Sequence, residues 1–376
     1  MYDVTALGEV LIDFTEAGVS EGGQRLFEQN PGGAPANVLV ALQHLGHPTA
    51  FIGKVGTDMH GAFLREVLEG EGIDCTGLIS DPNFFTTLAF VALAPTGERT
   101  FSFARKPGAD TQLAPADLAR DVIAATKVFH VGSLSLTDEP ARSATLSAID
   151  LAREAGCTVS YDPNYRANLW PSAEAASKQM RSIVPSVDLM KISDEECELM
   201  TGVADPAEAA RLLVAQGVKV VVVTLGGSGA LVCCAEGVRE VPGFPAEVVD
   251  TTGAGDSFWG GFLAAFVESG LAPDAVTLDD AAAFARMGNA VAVSYPHLDV
   301  YKRQPSRCRA SPRSDRKSVV QGKSVPLGGR RSRRIKTPLT CHLPVLHFFP
   351  YHPRTRVREA TRVGCERREG TAGGVA

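Results

Sequence analysis

The sequence predicts an α/β protein: a three-layer α/β/α fold with a mostly parallel central sheet and a small β-sheet lid. Three observations carry this reading. Apolar β-rich runs alternate with amphipathic helical stretches from the N-terminus to about residue 293. The run "VKVVVVTL", 218–225, is apolar on both faces, as a central parallel strand covered on both sides requires. Two stretches break the alternation and supply the lid.

Residues 3–14 read as the first strand. Residues 15–31 are Gly-rich and polar and interrupt the first βα connection. A helix over 34–46, a strand over 49–55 and a helix over 59–72 follow. "TTLAFVALA", 86–94, and "ERTFSFA", 98–104, flank Pro95-Thr96-Gly97 and read as a β-hairpin. The lid is therefore expected from about 15–31 and 84–108. Strands over 127–132, 157–162, 187–192 and 218–225, and helices over 138–155, 205–216, 254–269 and 278–293, complete one domain at 1–293.

From residue 294 the logic changes. Residues 295–376 carry 19 Lys and Arg against 5 Asp and Glu, a charge of +14; the rest of the chain has 18 against 38, or −20. Two parts so different do not read as one physical unit. The tail holds 8 of the 23 prolines and no sustained apolar period. Its basicity raises nucleic-acid binding, but "SYPHLDVYKRQ" and "DRKSVVQGKSV" look like translated adapter or vector read-through. No packed structure is expected there. The chain opens "MYDVTALGEVLIDF", without a basic region leading into an apolar one, and contains no run of 18 apolar residues. Neither a signal peptide nor a membrane span is expected, and a cytoplasmic location is. Five of the eight cysteines precede 295 and show no CxxC spacing, so they read as buried thiols in a reducing compartment.

The chemistry concentrates in "VVDTTGAGDSFWGGF", 248–262. Phe258, Phe262, Ala265 and Phe266 share a helical face, so the loop feeds a helix N-terminus. The first amides of a helix lack internal partners and lie at the positive end of its dipole. Glycines let those amides approach a phosphate. Asp256 beside them could take a proton from a hydroxyl as a phosphoryl group arrives. The bland alternative is a glycine turn with a capping Asp. There is no GxxxxGK[ST], so this is not a P-loop.

"DTTGAGDSF" resembles the C-terminal signature of the PfkB, or ribokinase-like, sugar kinases, and "NPGGAPANVLVALQHLG", 30–46, resembles their N-terminal one. The resemblance covers 1 to about 293 and implies the ribokinase-like fold. It implies Asp256 as catalytic base with the amides of Gly253, Ala254 and Gly255 as anion hole. It puts Gly32, Gly33, Asn37 and Asp13 on sugar hydroxyls. Asp13 reads as ending the first strand, where an acidic side chain faces the crevice. "RKPGAD", 105–110, and "YDPNYR", 161–166, look fructokinase-like and imply Arg105, Asp162, Asn164 and Arg166 at the sugar. In "KISDEECELMTG" relatives carry Asn-x-x-Glu where this chain has Ser193-x-x-Glu196. Glu196 would help order Mg²⁺ and its waters, although Ser193 and Glu196 also form a capping box. Thr224, Gly226 and Gly229 in "VTLGGSGAL" would line the nucleotide phosphates and ribose, and Asn289 matches a position at adenine.

The function implied is an ATP-dependent sugar kinase, fructokinase foremost, acting on a ketose hydroxyl with ATP and Mg²⁺. The alternatives are a 2-keto-3-deoxygluconate kinase, a nucleoside kinase, and a catalytically impaired sugar-binding homologue. The last is kept because a Thr-Arg-x-Gly-Ala-type segment, which in relatives helps bind a monovalent cation, is absent. That cation, K⁺, is implied near Asp250. Expected partners are sugar and ATP, with no nucleic acid and no membrane; in relatives such lids pair into homodimers.

Overall fold

The computed structural model describes residues 1–93, 99–245 and 253–294. The expectations for the tail and for Asp250 lie outside the described residues. In chain order the elements are β1 (Tyr2–Leu7), β2 (Leu11–Val19), β3 (Arg25–Gly32), α1 (Ala34–His44), β4 (Thr49–Gly56), α2 (Met59–Gly70), β5 (Asp74–Asp81), β6 (Leu88–Leu93) and β7 (Arg99–Ala104). Then come α3 (Arg120–Ala124), β8 (Thr126–Val131), α4 (Ala141–Glu154), β9 (Thr158–Tyr161), α5 (Ala173–Ser182), β10 (Leu189–Ser193), α6 (Cys197–Thr201) and α7 (Pro206–Ala215). Last are β11 (Val220–Thr224), β12 (Gly229–Cys234), β13 (Gly237–Pro242), α8 (Ala254–Ser269) and α9 (Leu278–Ser294).

Nine strands form one sheet in the order β13-β12-β11-β10-β9-β8-β1-β4-β5. It is parallel from β11 to β5, and β12 and β13 add antiparallel at one edge. Alternate side chains of β11 feed two cores. Val221 and Val223 join the core under α4, α5, α6 and α7, whereas Val220 and Val222 join the core under α1, α2, α8 and α9. Both cores exclude water, which explains the unbroken valine run. Beyond β1 the chain winds first towards β4, then returns to β8 on the other side. The crevice outside the carboxyl ends of the strands at such a reversal is where ligands bind in open α/β sheets.

The first strand is two strands. The chain leaves the large sheet after Leu7, and Leu11–Val19 belongs to a separate four-stranded sheet ordered β3-β2-β6-β7. Gly8 sits at the exit, where a Cβ would lie 2.7 Å from Pro35 Cγ. β2 pairs antiparallel with β3 and parallel with β6, and β6 pairs antiparallel with β7. Phe14 stacks on Phe90 at 5.3 Å between ring centroids, and Phe27 meets Phe90 edge-on at 6.1 Å. Helix α8 is buried on more than the predicted face. Trp259, Leu263 and Ala264 are as covered as Phe258, Phe262 and Phe266, while Ala265 is half-buried, because α1 and α9 both pack on it. All five cysteines of the described residues are free and buried.

Candidate active site

Helix α8 begins at Gly253, which caps it in the left-handed region at φ 72°. Glycine adopts that conformation without a Cβ penalty. The Ser257 amide donates to the Gly253 carbonyl at 2.8 Å, so the amides of Gly253, Ala254 and Gly255 precede the first intrahelical bond. Asp256 follows on the first turn and is 7% exposed. Its Oδ2 accepts from Asn37 Nδ2 at 2.8 Å, and its Oδ1 accepts from Asn164 Nδ2 at 3.1 Å. Burial pushes its pKa up and the Asp162 charge adds to that; the Asn37 hydrogen bond, Lys191 and Arg166 oppose it. Two amide donors thus orient one buried carboxylate in the first turn of α8, beside amides that have no intrahelical partner.

Asp13 lies on the lid strand β2, in register with Asn30, and not at the end of a large-sheet strand as expected. Gly32 closes β3 behind it: a Cβ there would lie 2.2 Å from Asp13 Oδ2. Burial pushes the Asp13 pKa up to about 6; Arg166 opposes the rise and Asp256 adds to it. Arg166 is exposed, yet its charge acts on both carboxylates. Gly33 turns into α1 at φ 117°, where a Cβ would lie 2.4 Å from the Glu9 carbonyl oxygen.

Below this turn the Glu9 carboxyl is buried, with Oε1 accepting from the Ala34 amide at 3.2 Å. Burial pushes its pKa from 4.5 to about 7. At about 1.4 kcal/mol per pH unit this is worth about 3 kcal/mol. A carboxyl raised in the folded state contributes stability that is complete below pH 4.5 and is lost as pH rises through 7. Glu9→Gln cannot ionise and keeps an oxygen for Ala34. Chemical denaturation should find it about 3 kcal/mol more stable than the native protein at pH 8, and equal to it at pH 4.

Arg105 is enclosed. Its Nε donates to Asp110 Oδ2 at 2.8 Å, one terminal nitrogen to Thr137 Oγ1 at 2.9 Å, and the other to the Leu134 carbonyl at 2.9 Å. These bonds use three of the five N–H groups of the guanidinium. Asp162, at the end of β9, accepts from the Asn164 amide at 3.2 Å and from Lys191 Nζ at 2.6 Å. Asn164 is held at φ 45°, a conformation asparagine tolerates better than most residues, and this aims its amide at Asp256.

On the other flank, Glu196 Oε2 accepts from the Ser193 amide at 2.8 Å and Ser193 Oγ at 3.1 Å. Glu196 Oε1 accepts from the Tyr165 amide at 2.6 Å, tying the 162–166 loop to the end of β10. Thr224 ends β11, and its Oγ1 donates to the Ile192 carbonyl at 3.4 Å. Gly226 at φ 55° and Gly229 at φ 107° make the turn into β12. At Gly229 a Cβ would lie 2.2 Å from the Val241 carbonyl oxygen. Asn289 on α9 is buried and donates to the Pro242 carbonyl at 3.2 Å.

A family model described as pfkB family carbohydrate kinase matches residues 1–296. The chain belongs to the pfkB family of carbohydrate kinases. The fructokinase-2 of Solanum lycopersicum is 46% identical over 270 residues, 70% of this chain and 82% of that protein. Fructokinase from Xylella fastidiosa, solved with bound ATP, is 31% identical with a TM-score of 0.72 over 78% of this chain and 92% of that one. Fructokinase from Vibrio cholerae O395, solved with fructose, ADP and calcium ion, is 34% identical with a TM-score of 0.69 over 78% and 92%. A double mutant of the same enzyme was solved with fructose, ADP and potassium ion.

Within this carbohydrate kinase, several residues around the site have no role in the motifs quoted above. Lys191 sits in the apolar strand β10 and is 5% exposed. Glu9 reads as one polar interruption in an apolar run. Trp259 Nε1 donates to Ser160 Oγ at 2.9 Å, and His130 Nδ1 lies 3.0 Å from the same oxygen. Burial and the Lys191 charge pull the His130 pKa down to about 3, so it packs as a neutral ring. Their partners lie on other elements, far away in sequence. An isolated charged residue inside a β-rich apolar run is the one signal that could have marked Lys191.

Proposed function

We propose that this carbohydrate kinase transfers the γ-phosphoryl group of ATP to a primary hydroxyl of fructose. The observation that carries the reading is the convergence of Asn37 and Asn164 on Asp256, one turn into a helix whose first amides precede any internal partner. The names of the similar fructokinases, and the ATP, fructose and ADP in their structures, support the acceptor and donor.

In this reading the sugar lies between Asp13 and Asp256, with Gly32, Gly33 and Asn37 beside it and Asp162, Asn164 and Arg166 on its far flank. Asp256 accepts the hydroxyl proton while that oxygen forms a bond to the γ-phosphorus. The bond from the γ-phosphorus to the bridging oxygen breaks, and its electron pair leaves with ADP. The amides of Gly253, Ala254 and Gly255 hold the charge on the migrating group. Thr224, Gly226, Gly229 and Asn289 would line the nucleotide. The donor set suits Mg²⁺, which takes few protein ligands and keeps its waters. Among the described residues no three His, Cys, Asp or Glu side chains are grouped to hold a metal. Glu196, whose oxygens already accept from Ser193 and Tyr165, would hold waters of a cation that neutralises the triphosphate. A monovalent cation near Asp250 belongs to the same proposal.

The lid brings Asp13 to the site and would exclude water on closing, which limits hydrolysis of ATP. Leu26, Phe27 and Phe90 are 45%, 40% and 38% exposed on it, which supports pairing of two copies through the lid. Among the described residues no helix is long and apolar enough to cross a membrane; a cytoplasmic location is part of the proposal. A coupled ADP-release assay across fructose, 2-keto-3-deoxygluconate and adenosine tests the acceptor. Fructose should give the highest kcat/KM, and a preference for either alternative would overturn it.

A further inference from the structure

We infer that Lys191 is a positioning residue for phosphoryl transfer: through Asp162 it fixes the loop that carries Asn164 onto Asp256. The inference rests on the proposed role of Asp256 as base. Lys191 Nζ lies 2.6 Å from Asp162 Oδ2. The other oxygen of Asp162 accepts from the Asn164 amide at 3.2 Å, and Asn164 Nδ2 donates to Asp256 Oδ1 at 3.1 Å. Three bonds therefore run from an ammonium on β10 to the base on α8. The loop is pinned again one residue later, where the Tyr165 amide donates to Glu196. Between these two anchors Asn164 holds its left-handed conformation. The ammonium also lies beneath the anion loop: a Cβ on Gly255 would come 3.4 Å from Nζ. That is an ordinary packing distance, so the ammonium lies directly against the start of α8.

The charge has its own consequence. Burial pulls the Lys191 pKa down, but Asp162 and then Glu196 outweigh it, and the net direction is up. Lys191 therefore remains an ammonium. Asp256 is faced by Asp162 after β9, by Lys191 on β10, by Arg166 on the loop, and by Asp13 on the lid. Lys191 is also faced by His130 on β8, which is neutral. Asp162 and Lys191 push the base in opposite directions, so losing each partner alone should have opposite effects.

The test is the pH dependence of kcat/KM for fructose, measured on the full chain. Lys191→Met removes a cation, so the acid limb should move to higher pH; kcat at pH 7 should fall by roughly 10- to 100-fold as Asn164 loosens. Asp162→Asn removes an anion, so the limb should move to lower pH. The double variant should lie between the two. A buried carboxylate left unpaired can unfold a protein; if Lys191→Met does not fold, Asp162→Asn and the double variant still read the ordering. Shifts in the same direction, or no shift in either variant, would overturn the inference, because loss of packing alone has no sign. A ¹³C-carboxyl NMR titration of Asp256 without sugar reads the same ordering without turnover. Failure of the wild type on fructose would thus count against the acceptor alone.

Discussion

Asp256→Asn is expected to lower kcat by roughly three orders of magnitude while leaving fructose affinity within a few-fold of wild type. General-base catalysis contributes about 10²- to 10⁴-fold, and only the carboxylate can accept the hydroxyl proton. Both carboxylate oxygens already accept an amide, one from Asn37 and one from Asn164. An asparagine offers one oxygen, so one of these donors would face an NH₂ group. Steady-state kinetics read the loss, and calorimetric titration with fructose reads the surviving affinity. The raised pKa of Asp256 gives the wild type an acid limb, since the base works only when ionised. The residual activity of Asp256→Asn should lack that limb. Near-normal turnover would remove Asp256 from the reaction.

Gly32→Ala is expected to raise the KM for fructose roughly 100-fold with the KM for ATP unchanged. The added Cβ would stand 2.2 Å from Asp13 Oδ2 and 3.0 Å from its Cγ. The side chain must swing away, and Asp13 is the flexible partner, so the protein should stay folded. Hydrogen bonds to a charged group are worth about 1.5–3 kcal/mol each, and about 1.4 kcal/mol corresponds to tenfold in affinity. Losing the aligned carboxylate therefore costs about two decades. Equal effects on both substrates would point to a collapsed fold, and an unchanged fructose KM would remove Asp13 from the sugar site.

Much of this was legible in the sequence because the signals are local. The Gly253-Ala254-Gly255-Asp256 turn needs glycine conformations and a helix start, and both are written within a few residues. The same holds for Gly32 and Gly33 before α1. The β11 valines announce a strand between two cores because they are apolar on both faces. What escaped is non-local. Mostly apolar residues flank Gly8 on both sides, from Val4 to Leu7 and from Val10 to Ile12, so nothing local marks the chain leaving one sheet for another, and Asp13 reads as part of the first strand of the large sheet. β5 and β13 are edge strands with mixed polar patterns and were not read. Lys191 and Asp162 are 29 residues apart and meet only because β9 and β10 are neighbours. Periodicity puts Ala265 on the buried face, whereas it is half-buried and Trp259, Leu263 and Ala264 are covered instead, in a helix that packs against both α1 and α9.

The central claim is that the amides of Gly253 to Gly255 hold a migrating phosphoryl group while Asp256 faces the acceptor. A crystal structure of the wild-type protein with fructose, ADP, Mg²⁺ and aluminium fluoride tests it most directly. The account predicts the fluoride complex on those three amides, with one sugar hydroxyl within hydrogen-bond distance of both the aluminium-bound face and an Asp256 carboxylate oxygen. The complex bound elsewhere, or a fructose hydroxyl directed away from Asp256, would contradict it.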